Sequence, residues 1–100
     1  MSIDFEARLR ELQQQSDALG TPPDDPAARI AHWEQAALIE DGIERLYGLY
    51  LDRHRGHLDD WMVRSALVTA AVHHRQVARD CRRAATDARG LLARHSRGGA

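Results

Sequence analysis

Residues 58–95 read LDDWMVRSALVTAAVHHRQVARDCRRAATDARGLLARH, a stretch with no proline and one glycine, Gly90. Within it Val63, Leu67, Ala71, His74, Ala78, Cys81, Ala85, Ala88 and Leu92 recur at spacings of four and three, which holds them on one side of an α-helix for about eight turns. Asp59 and Asp60 near its start and Arg94 and His95 near its end suit the helix dipole. The spacing predicts one long helix over 58–95, with a possible interruption at Gly90.

The two halves of this stretch differ on the side away from the regular stripe. Leu58, Trp61, Met62, Val68 and Val72 make the first half apolar nearly all round, so it is expected to be enclosed by neighbours. From Arg75 onward that side becomes Arg75, Arg79, Arg82, Arg83 and Arg89. The second half is therefore amphipathic and basic.

Upstream, the polar run Asp52-Arg53-His54-Arg55-Gly56-His57 is short enough for a tight reversal. It is preceded by a second helical stretch over 26–53, opened by Asp25 as a cap and Pro26 at the first helical position. Its inward face reads His32, Ala36, Ile39, Ile43, Leu46, Tyr47 and Tyr50, and Glu34, Glu40, Asp41 and Glu44 gather on another side, directed away from it. Gly42 and Gly48 weaken this helix without ending it. The two stretches together predict an antiparallel helical hairpin.

Ahead of the hairpin, Phe5, Leu9, Leu12, Ser16 and Leu19 mark an amphipathic helix over about 3–19. Gly20 and the run Thr21-Pro22-Pro23-Asp24-Asp25-Pro26 stop it, because prolines lack donors and bias the residues before them away from helical angles. The expectation is an all-α chain: one helical domain over 1–95 and a flexible tail over 96–100. At 1.5 Å per residue the third helix would span roughly 57 Å and the second roughly 42 Å. That mismatch leaves Ala85, Ala88, Leu91 and Leu92 uncovered, and predicts a two-fold dimer whose hairpins form a four-helix bundle along the alanine seam.

At 100 residues the chain makes one domain at most, and 43% hydrophobic with 29% charged residues is the balance of a folded globular protein. Only five aromatic residues are present, so the core must come from aliphatic and small side chains. The single cysteine excludes an internal disulfide and any multi-cysteine metal motif. With no membrane span and no leader peptide in the sequence, the expected compartment is the cytoplasm. All 14 basic residues are arginine, a bias that a GC-rich, bacterial-like genome produces without functional demand. The net charge of −1 conceals an asymmetry: residues 1–60 carry −7 and residues 61–100 carry +6.

Glu40 or Glu44 is expected level with His73 or His74, the ingredients of a helical metal site, but the Glu-x-x-His spacing of di-iron bundles is missing. A buried His74 hydrogen-bonded to a neighbour fits better, and no metal or other cofactor is expected. Cys81 lies among alanines as inert packing, while Ser65 and Thr69 have no acid–base partners, so no enzyme activity is expected. Nucleic-acid binding by the arginine stripe is a lesser alternative, opposed by the acidic first half and the absence of interleaved aromatics. At this length a helical hairpin invites comparison with the small secreted WXG proteins, but Arg55-Gly56-His57 stands where their Trp-x-Gly turn would fall, so no family is identified. The sequence reading is a non-catalytic protein-interaction module: an adaptor, small chaperone or regulatory subunit. Its partner-binding residues are expected to be Arg75, Arg79, Arg82, Arg83 and Arg89 together with Phe5, Leu9 and Leu12 of the first helix, docked at home or on another protein.

Overall fold

A computed structural model describes residues 4–54, 56 and 60–98. Three helices account for nearly all of them: α1 (Phe5–Leu19), α2 (Pro26–Arg53) and α3 (Trp61–Gly98). Ile3, Leu58 and Asp59, assigned to helix ends from the sequence, lie outside the described residues, as do Arg55 and His57 of the expected reversal and residues 99–100 of the expected tail.

Each helix begins on an aspartate. Asp4 accepts a hydrogen bond from the Ala7 amide at 3.2 Å, Asp25 from Ala28 at 2.9 Å and Asp60 from Met62 at 2.9 Å, each satisfying an amide that the first turn leaves free. Gly20 ends α1 at φ 62°, a left-handed backbone that glycine adopts without steric cost. Arg29 then donates to the Pro23 carbonyl at 3.3 Å, tying the proline segment to the first turn of α2. α3 continues to Gly98 instead of stopping at His95. Nothing from Leu91 to Arg97 breaks a helix and Gly90 is helical, so Ser96–Gly98 of the expected tail is helix.

α2 is the central element. It runs antiparallel to α3, as the pairs Glu34–Arg89 and Glu44–Arg75 show, and α1 packs on α2 without approaching α3. Leu12, Ile39, Ile43 and Leu46 form the buried cluster between α1 and α2, with Phe5, Leu9, Leu19 and Tyr47 against it. Gly42 lets α1 close in: a Cβ there would stand 3.3 Å from Leu12 Cδ2. Along α3 the buried residues are Ala78, Cys81, Ala85 and Ala88, small enough for two helix axes to approach closely.

Two expectations are corrected by this packing. Ile39, Ile43 and Leu46 pack against α1, and the acidic side of α2, turned by about 100° per residue, lies along the edge of α3 and not away from it. The alanine seam, in turn, needs no second copy to cover it. Pro26, Arg29 and Trp33 lie beside Ala84, Ala88 and Leu91, and the first half of α2 buries Ala85 and Ala88, while Leu91 is 61% exposed, as expected. The length mismatch is taken up at the other end, where Leu51 and Asp52 are level with Val68 and Val72 and the first turn of α3 projects past α2. The result is a rod of 62 × 21 × 20 Å.

Candidate interaction surface

Three arginines of the basic stripe are engaged within the hairpin. Arg75 Nε donates to Glu44 Oε1 at 2.7 Å, Arg82 pairs with Asp41, and Arg89 pairs with Glu34. Arg75, Arg82 and Arg89 are seven residues apart, as are Glu34 and Asp41, so the ladder repeats about every 10.5 Å along the axis. Gly48 holds the next position of the acidic series, and Glu44 one turn earlier takes its place. All three arginine side chains are half exposed, so each bridge contributes at most about 1 kcal/mol and serves mainly to fix register. Arg79 and Arg83, on the outer side of α3, have no partner among the described residues.

The remaining expected contact residues are also engaged at home. Phe5 packs its ring against Tyr47 at 5.4 Å and Tyr50 at 4.5 Å, and Leu12 is 4% exposed. In this conformation Phe5, Leu9 and Leu12 are held by α2 and are not presented to a second protein, because Ile39, Ile43 and Leu46 offer them a complementary apolar face.

The histidine and carboxylate candidates separate. His74 Nδ1 meets Glu40 Oε2 at 2.5 Å in a half-buried position, with the Tyr47 ring stacked on its imidazole at 5.9 Å. Glu44 is engaged by Arg75, and His73 is exposed with its ring 5.2 Å from that of His74. Among the described residues no three histidine, cysteine, aspartate or glutamate side chains gather as a metal site would require. Cys81 is a buried free thiol whose pKa is pushed up, first by burial and then by the Glu40 and Asp80 carboxylates, with Arg82 opposing. Ser65 and Thr69 are exposed on α3 and share a shallow surface with His73 and His74.

The first half of α3, read from the sequence as enclosed on all sides, instead carries five of the eight large exposed hydrophobic side chains among the described residues. Trp61 is 69% exposed, Met62 63% and Val72 51%, with Val63 and Val68 close behind. The cause is the arrangement already described: α1 stays on α2, and α2 covers a single edge of α3. A shallow surface of Trp61, Met62, Ser65, Ala66 and Thr69 results. An excess of apolar residues over what two helices can cover was legible at 58–72; which side would remain bare depended on where α1 docked. None of the described helices is long and apolar enough to cross a membrane.

Comparison with protein-family models, curated proteins and solved structures finds no match to this chain. The class that the fold defines is an all-helical chain with hairpin packing of its two long helices.

Proposed function

We propose that this chain is a non-catalytic protein-interaction module, of the adaptor, small-chaperone or regulatory-subunit kind, whose contact surface is the first half of α3. The observation that carries this reading is the exposed face Trp61, Met62, Val68 and Val72. Apolar side chains gathered this densely on a chain of 100 residues favour removal from water by another protein surface. Trp61 is the natural anchor, since a large ring at the centre of an interface contributes more than its neighbours. Association through this face would also complete the layer that α1 leaves open, giving a larger helical bundle. The buried free thiol of Cys81 fits a reducing compartment such as the cytoplasm.

Nucleic-acid binding is less well supported. Neutralisation of Arg75, Arg82 and Arg89 by α2 leaves only Arg79 and Arg83 of the stripe for phosphates.

The test is affinity purification from the native host with the wild type and with Val68→Glu/Val72→Glu. Both positions are about half exposed, so the pair leaves the core intact. Recovery of a stoichiometric protein, this chain or another, that is lost in the double variant at unchanged helix content is the expected result. Equal recovery by both forms, or none by either, would sink the reading.

A further inference from the structure

We infer that the protein seated on this face is a second copy of the chain, placed antiparallel across α3. This rests on the interaction reading above and names its partner. At 100° per residue Val68, Trp61, Val72, Ser65, Thr69 and Met62 fall within an arc of roughly 120°, and all six are exposed. Their order along the helix is what matters. The large pair Trp61 and Met62 stands at one end, Ser65 and Thr69 lie at the centre of the arc in the middle with Val68 at its edge, and Val72 stands at the other end.

Inversion about the point midway between Ser65 and Thr69 sets each Ser65 opposite the other chain's Thr69. The same inversion sets Met62 opposite Val72, and Trp61 beside Val72 and the imidazole of His73. Small residues thus meet where the axes cross, and large ones meet the β-branched residues on either side. A pattern that matches itself under inversion is what an isologous two-fold contact requires, and axes separated by small residues can close to about 8 Å.

Charge selects the same arrangement. Arg79 and Arg83 continue the outer side of α3 beyond Val72 with no partner among the described residues. An antiparallel pair carries these cations to opposite ends of the contact, whereas a parallel pair would stack them on one another.

The surface area fits a second copy as well. The chain exposes 7215 Å², where a compact monomer of its mass would expose about 5,700 Å². That excess is more than the roughly 800 Å² that each partner contributes to an interface of standard size.

Sedimentation equilibrium of the full chain tests the proposal. The wild type is expected at twice 11.2 kDa in the micromolar range. Ser65→Arg, which places two cations at the crossing while leaving the core untouched, should raise the dissociation constant at least roughly 100-fold with the circular dichroism unchanged. Spin labels at Thr86→Cys in a Cys81→Ala background should lie roughly 57 Å apart across the antiparallel pair; a parallel pair would hold them within about 20 Å. A chain that stays monomeric, a dimer indifferent to Ser65→Arg, or a short label distance would each overturn the proposal. A monomer that still retains a different protein, released by Val68→Glu/Val72→Glu, would overturn the second copy while leaving the interaction reading standing.

Discussion

Leu12→Ala isolates what holds α1 in place. Leu12 is 4% exposed and sits between Ile39, Ile43 and Leu46, and α1 touches no helix but α2. Truncating a buried leucine costs about 2–5 kcal/mol, and the cost rises with the cavity left behind. Here α1 lies on the outside of the molecule and can settle partway toward Gly42, so a value near 3 kcal/mol is expected. An undocked helix of 15 residues is barely stable in water, so the loss should appear as local unfolding of α1. Protection of the α1 amides against hydrogen exchange should fall about 100-fold. Amides of α3, whose pairing with α2 does not involve α1, should change by less than about 10-fold. The melting temperature of the α2–α3 hairpin should fall by less than about 11 °C. A uniform loss of protection across all three helices would refute the view of α1 as a separately docked element, and α1 amides that keep their protection would refute the assigned burial.

The glycines of α2 and α3 should respond differently to a methyl group. Gly48→Ala and Gly90→Ala, with nothing within 4 Å of the added Cβ, should each stabilise by about 0.5–1 kcal/mol in urea denaturation. Gly42→Ala should be close to neutral in the wild type because its Cβ presses on Leu12, and favourable in the Leu12→Ala background where that space is vacant. Removing one rung of the ladder with Arg82→Ala should cost no more than about 1 kcal/mol at low ionic strength, a loss that salt diminishes when the two forms are compared by thermal denaturation. Cys81 should resist thiol reagents in the native state, its labelling rate following the opening of the α2–α3 seam. Its pKa is raised on folding, so the unfolded chain ionises first as the pH climbs past its ordinary value of 9.0. Stability measured above that pH should therefore fall in the wild type and be flatter in Cys81→Ala.

How much of this was legible in the sequence can be traced to particular residues. Asp25-Pro26 placed the start of α2, and Gly20 with the proline run placed the end of α1, because caps and breakers act through the backbone within a turn of where they stand. The four-three repeat from Leu67 to Leu92 fixed the side of α3 that is buried; of the pairs expected level, Glu40 or Glu44 with His73 or His74, Glu40 and His74 meet at 2.5 Å, although the acidic side of α2 was expected to point away. The partners of the arginine stripe were harder to place. The heptad separation of Arg75, Arg82 and Arg89 and of Glu34 and Asp41 is present in the sequence, but its use within one chain depends on a register set by the turn. Hairpin register also decided which end of α3 would go uncovered. Helix lengths alone leave Ala85, Ala88, Leu91 and Leu92 uncovered; in the structure Leu91 is exposed, but Ala85 and Ala88 are buried and Trp61 is bare.

The central claim is that the bare half of α3 is an association face, and Trp61 reports on it directly. Acrylamide quenching of a Trp33→Phe chain, which leaves Trp61 as its one indole, should be strong in dilute solution and weaken as the concentration rises through the micromolar range. The same chain carrying Ser65→Arg should remain strongly quenched throughout. Quenching of Trp61 that does not change with concentration, or that Ser65→Arg leaves unaltered, would contradict the account.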